Sequence, residues 1–274
     1  MYSLARRQRN AARRNLELCF PQLTPAERET LLKRHFESVG MSIAEIAFAW
    51  FAPDRRIPNR FAVRGLEHVT AALAKGNGVI LYTGHFTPLE ICGRPLKLAL
   101  PSFTVMFSHR SNGLLDEIQR RGRLRVAHEA VPSDNVRALL RSLKRNAAVW
   151  YAPDQMDSHG QLVRFFGEPA MTSLATSKLA RLSGAPVVAF SYRRANKSGL
   201  YELEFHAPLP RAADALASTE ALVHRLEDFI RAAPEQYQWL HRRFKGRPAE
   251  WPDPYRASTA PGEASLPTPA PTAS

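Results

Sequence analysis

The sequence is poor in cysteine and poor in acid. Cys19 and Cys92 are its only two cysteines in 274 residues. They are too few and too far apart for a disulfide framework or a zinc site, and they read as reduced thiols facing the cytosol. Asp and Glu number 25 against 38 Lys and Arg, a formal net charge of +13. That surplus favours polyanionic partners such as nucleic acid, an anionic membrane surface or an acidic carrier protein. Long hydrophobic runs are missing as well. The longest uncharged stretch, Gly76 to Leu89, contains Gly, Asn, His and Pro and falls short of the roughly 20 apolar residues of a bilayer-spanning helix. With no visible signal peptide, the chain as given is not expected to cross a membrane. Also missing are a G-x-S-x-G elbow, a Walker loop, an H-E-x-x-H helix and a Cys-x-x-Cys pair, so no protein nucleophile or bound metal is expected.

What is present is a globular composition, 45% hydrophobic, enough for one substantial core. Residues 1–23 open with "MYSLARRQRNAARRNLELCF", a basic helix that either lies on anionic headgroups or is simply solvated. Residues 24–248 form the expected main domain. Its first helix starts at Thr24 as N-cap, with Pro25 at the first helical position and Glu27 closing a capping box. Strands and helices then alternate: "RFAVRG", "VILYTG", "FTVMFS", "AAVWYAP", "PVVAFSYRR" and "LYELEFHAPL" read as strands, with helical segments between them. This predicts an α/β fold, a central largely parallel or mixed sheet flanked by helices. "DQMDSHGQLVRFFGEPAMT" reads as a long loop, and the last helix as running through "QYQWLHRRF" with an interruption at Pro234. Residues 249–274, rich in Pro, Ala, Ser and Thr, are expected to be a disordered tail.

The chemistry gathers in "YTGHFTPLEICGR". In parallel sheets, sites form at the carboxyl ends of strands, and His85 directly follows the strand "VILYTG". Thr87, Pro88 and Glu90 fit an N-cap, a first helical residue and a capping-box partner, which needs no chemistry. Capping leaves His85 unexplained. A histidine beside a carboxylate at a strand end is the arrangement of a general base oriented by an acid, so a His85–Glu90 pair and a plain helix start both fit the residues.

"GHFTPLE" resembles the H-x4-D/E signature of glycerolipid and lysophospholipid acyltransferases. With "RRNLELCFP", "ESVGMSIAEIAFAWFAPDRRI", "VWYAPDQ", "FFGEPAMT" and "PEQYQWLHRRFKGRP", the chain is similar to the late acyltransferases of lipid A biosynthesis from about Arg13 to Pro248. The resemblance implies a glycerolipid-acyltransferase-like fold and an enzyme at the cytoplasmic face of the bacterial inner membrane. Such an enzyme moves a fatty acyl chain from acyl carrier protein to a hydroxyl of a Kdo-bearing lipid A precursor. By motif position His85 would be the base and Glu90 its partner, with Asp154, Arg110, Arg123 and Arg125 as substrate-binding candidates. No cofactor beyond the phosphopantetheine of the acyl carrier protein and no metal is implied. Ser108 and Arg164 depart from the family's usual arginine and proline at those positions. Other acceptors, such as another glycolipid or hydroxylated lipid, and an inactive lipid- or carrier-binding role remain as alternatives. The arginines follow no recognised nucleic-acid-binding pattern, so no nucleic-acid partner is expected.

Overall fold

Apolar β-branched and aromatic runs become strands buried on both faces, and the amphipathic segments between them cover the sheet. The computed structural model describes residues 5–57, 60–107, 112–195, 200–210, 212 and 214–256. In chain order these form α1 (Arg6–Cys19), α2 (Pro25–Phe51), β1 (Phe61–Arg64), α3 (Leu66–Leu73), β2 (Val79–Tyr82), α4 (Leu89–Ala99), β3 (Phe103–Phe107), α5 (Gly113–Val126), β4 (Glu129–Pro132), α6 (Val136–Lys144), β5 (Ala148–Tyr151), β6 (Gln161–Phe165), β7 (Glu168–Thr172), α7 (Ala175–Ser183), β8 (Val187–Arg194), β9 (Tyr201–Phe205) and α8 (Ala215–Ala232). The main sheet has seven strands in the order β1-β9-β8-β2-β5-β3-β4. Its described pairings are parallel except β8 with β9. The α/β expectation therefore holds.

Two cores sit on opposite faces of this sheet. Ile80, Val149 and Tyr151 pack with Leu139 and Leu143 of α6 and Leu179 of α7. Their strand neighbours Val79, Leu81 and Trp150 point the other way, into the larger cluster that includes α1, α2, α4 and α8, as the two-residue period of a strand requires. Helix α2 begins as its sequence predicts. The Thr24 hydroxyl accepts from the Glu27 amide and the Glu27 carboxylate accepts from the Thr24 amide at 2.7 Å. No helix among the described residues is long and apolar enough to cross a membrane.

Four sequence expectations need correction. The long loop after β5 contains the antiparallel hairpin β6–β7, closed by Phe166 and Gly167 at φ 54° and 82°, the left-handed pair of a tight hairpin turn. The short strand β4 also went unread. The last helix ends at Ala232, and after a 3-10 turn at Pro234–Gln236 the chain runs irregularly beside the site, because its backbone bonds there instead of to its own turn. Residues 249–256 do not begin a loose tail: the Tyr255 hydroxyl bonds Asn15 of α1 and accepts from the Phe244 amide at 3.0 Å. The remainder of the expected tail, 257–274, lies outside the described residues. Helix α1 buries Ala11, Ala12, Leu16 and Cys19 against this core, leaving a mainly basic face outward.

Candidate active site

Strands β2 and β5 are parallel neighbours with Tyr82 opposite Tyr151. The Thr83 amide extends the ladder by donating to the Tyr151 carbonyl at 3.2 Å. Three residues beyond each tyrosine stand His85 and Asp154, so the register alone delivers them to the same level at the carboxyl edge of the sheet. His85 Nδ1 lies 2.5 Å from Asp154 Oδ1, and the His85 amide donates to Oδ2 at 2.9 Å. Tyr237 also hydrogen-bonds the Asp154 carboxylate.

The backbone around His85 is held from every side. The His85 carbonyl accepts from the Gln238 amide at 2.9 Å, and the Thr87 amide donates to the Gln236 carbonyl at 2.7 Å. The Phe86 amide donates to the Tyr192 hydroxyl at 3.1 Å. A ring on so constrained a backbone loses little freedom when a substrate arrives. Burial opposes its charged form, but the charge and hydrogen bond of Asp154 together override burial, and a repulsion from Arg123 subtracts from their effect. The net result is a His85 pKa above the ordinary imidazole value. Burial pushes Asp154 up, yet His85 and the three hydrogen bonds on its carboxylate bring it below the usual range. Burial and the Asp154 charge keep Tyr237 protonated, the state in which it donates to that carboxylate.

The His85 side chain keeps 34% of its surface exposed, against 3% for Asp154. The exposed part lines a cleft of about 830 Å³ whose walls include Ile46, Leu89, Val105, Phe107 and Trp150, a volume within the usual range of small-molecule sites. Its polar side chains include Glu90 and Arg123. Arg123 Nη2 meets Glu90 Oε1 at 3.0 Å, and Trp50 Nε1 donates to Glu90 Oε2 at 3.1 Å. Buried Arg123 Nε has no hydrogen-bond partner among the described residues.

A histidine held by a buried carboxylate at a strand end and opening onto a cleft of mixed apolar and polar walls is an arrangement able to take a proton from a hydroxyl. Residues 1–246 match the family model described as bacterial lipid A biosynthesis acyltransferase. The chain belongs to that family. It is 38% identical over 255 residues to the lipid A biosynthesis lauroyltransferase of Escherichia coli (strain K12), covering 91% of this chain and 83% of that protein. It is 37% identical over 250 residues to the palmitoleoyltransferase of the same strain, with 89% and 80% covered, and 24% identical over 258 residues to its myristoyltransferase, with 92% and 80% covered.

The acyltransferase brings His85, Glu90, Asp154 and Arg123 to one region, in a different pairing from the one expected. The partner of His85 is Asp154, 69 residues away, and Glu90 is engaged by Arg123 and Trp50. The predicted capping box is absent too. Pro88 occupies the N-cap of α4 with no side-chain cap, and the Thr87 hydroxyl instead meets Ser38 at 2.7 Å and Arg194 at 3.0 Å. A buried carboxylate beside a guanidinium gains a charge-assisted bond that a neutral helix amide cannot match. Arg125 does not line the cleft. It donates to the Trp50 and Ala52 carbonyls, both at 3.3 Å, closing the end of α2. Arg110 lies outside the described residues. Sequence reasoning missed Tyr237, Trp50 and the Arg194 network. Aligning "VILYTGH" with "AVWYAPD" at their tyrosines signals the His85–Asp154 pair, but only once β2 and β5 are known to be neighbours.

Proposed function

We propose that this lipid A biosynthesis acyltransferase moves a fatty acyl chain from the phosphopantetheine thiol of acyl carrier protein to a hydroxyl of a Kdo-bearing lipid A precursor, at the cytoplasmic face of the inner membrane, with His85 as general base. The observation that carries the reading is the His85–Asp154 pair opening onto a cleft that combines apolar wall residues such as Ile46, Leu89, Val105 and Phe107 with polar ones such as Glu90 and Arg123. With Nδ1–H donated to Asp154, Nε2 is the basic atom, and Asp154 steadies the imidazolium that forms. Nε2 takes the proton of the acceptor hydroxyl as its oxygen attacks the thioester carbonyl. The resulting oxyanion collapses to the ester, the C–S bond breaks, and the leaving thiolate recovers the proton from Nε2. Proton transfer of this kind supplies roughly 10²- to 10⁴-fold.

The oxyanion needs a donor, and the amides of His85, Phe86 and Thr87 are already used. We assign that work to Arg123, whose guanidinium faces the cleft and is anchored by Glu90. Glu90 is then a positioning residue: it fixes the cation where charge develops. Incubation of a lipid A precursor with a mixture of acylated carrier proteins, read by mass spectrometry, tests the assignment. The expected result is one added acyl chain with the parent and none with His85→Ala, whose melting temperature stays close to the parent's. Acylation by His85→Ala at the parental rate would remove the base from the mechanism.

A further inference from the structure

The second half of α2 has an unusual exterior. From residue 40 to 51 the exposed positions are Gly40, Met41, Ile43, Ala44, Ala47 and Phe51, all without a polar side chain. Phe51 is 77% exposed, Ile43 56% and Met41 50%. The one charge in this half, Glu45, turns inward to Arg194 at 2.5 Å. A helix facing water carries its polar residues outward, and this one does the reverse. The start of α5 continues the pattern, with Leu114 71%, Leu115 55% and Ile118 41% exposed. The two helices lie against each other where Trp50 crosses Gly122, so closely that a Cβ at residue 122 would sit 2.3 Å from the indole. Their other sides line the cleft, through Ile46 of α2 and Gln119 and Arg123 of α5.

We infer that this outward face of α2 and α5 seats the enzyme on an anionic lipid bilayer, with the mouth of the cleft directed at the lipid. The inference rests on the reading that the acceptor is a membrane lipid. Charge selects the occupant. Exposed Arg55 and Arg56 follow α2, and exposed Arg120 and Arg121 follow the apolar residues of α5. Of the neighbouring acids, Asp54 pairs with Arg94, Glu117 accepts from Arg120 and Arg121, and Asp116 in the first turn of α5 stands close enough to Arg120 to add to the rise that Glu117 causes in its pKa. Apolar side chains rimmed by arginine suit the boundary between acyl chains and negative headgroups. A protein partner would call for hydrogen-bonding groups within the patch, and the exposed side chains of this half of α2 supply none. Helix α1, for all its arginines, turns its apolar side into the protein.

Co-sedimentation of the full chain with vesicles of phosphatidylethanolamine and phosphatidylglycerol, and with vesicles of phosphatidylcholine alone, tests this. The parent should bind the anionic vesicles more tightly. Replacing Ile43, Phe51 and Leu115 together by serine should lower that binding at least tenfold while the melting temperature and transfer between detergent-dispersed substrates stay at parental values. Arg55→Gln with Arg56→Gln should reduce binding to the anionic vesicles only. Leu182→Ser, at a residue 70% exposed on α7, should change nothing. Equal binding by the serine triple variant, or an equal loss in Leu182→Ser, overturns the inference. So does a dimer in vesicle-free solution that the triple variant dissolves, because a second copy would then own the face. A parent that transfers acyl chains in detergent yet ignores both kinds of vesicle overturns this inference and leaves the functional reading intact.

Discussion

Two buried carboxylates serve the site, and each is committed to a different basic side chain. Asp154 holds the imidazole of His85 and Glu90 holds the guanidinium of Arg123, so removing each should leave a different trace. As the proposed base, His85 must be neutral to accept a proton, so transfer should rise as pH passes upward through its pKa. That pKa lies above the ordinary imidazole value only because the Asp154 charge and hydrogen bond outweigh burial. In Asp154→Asn the influences of burial and Arg123 remain and both disfavour the imidazolium. The acid limb of kcat/KM should therefore move to lower pH, while kcat falls by roughly 10²-fold or more because the tautomer is no longer fixed. Glu90→Gln should lower kcat with the acid limb unmoved, since Glu90 acts on Arg123. A pH profile for Asp154→Asn that overlays the parent's, or a shift in Glu90→Gln instead, would exchange the two roles.

At the scale of elements, the site depends on β2 and β5 ending level and on a loop thin enough to let Asp154 approach. Gly84 supplies the thinness. A Cβ there would lie 2.6 Å from Leu226 Cδ1 of α8 and 3.1 Å from Asp154 Oδ2. Gly84→Ala should cost about 1–3 kcal/mol in denaturant unfolding, the usual range for an overpacked site, and should cut transfer more than that loss of folded protein explains, because the carboxylate is displaced from His85. A variant with parental stability and turnover would show that the loop has room to spare. The local elements were legible in the sequence because their causes are local. Thr24, Pro25 and Glu27 announce the start of α2, and the run Val79–Tyr82 announces a buried strand followed by His85. What stayed hidden depends on distant partners. The β6–β7 hairpin turns on Phe166 in the left-handed region, a conformation a phenylalanine does not advertise. The course after Pro234 follows from bonds to His85 and Thr87, and the Asp154 partnership follows from strand order. A capping box written as Thr87 and Glu90 gave way because both side chains met stronger partners, Arg194 and Arg123, brought in by β8 and α5.

At the scale of the whole molecule, the net charge of +13 and the cleft belong to one argument about how substrates arrive. The apolar part of the cleft wall accepts a chain but does not attract it from a distance, whereas a field of positive charge would draw in the acidic carrier of the proposed reaction and raise the encounter rate. Screening should separate the two. Raising salt from about 0.01 M to about 1 M shortens the Debye length from roughly 30 to 3 Å, so kcat/KM for the acyl carrier protein thioester should fall by about tenfold or more. Most of the change should lie in KM, since Asp154 is buried and meets His85 in direct contact, where salt screens little. The same acyl group on a short, uncharged pantetheine thiol is the decisive control, because it offers the cleft an identical chain and thioester without the acidic protein. Its kcat/KM should hardly respond to salt, and if both donors decline together the positive field is acting on the lipid acceptor or on the fold rather than on the carrier.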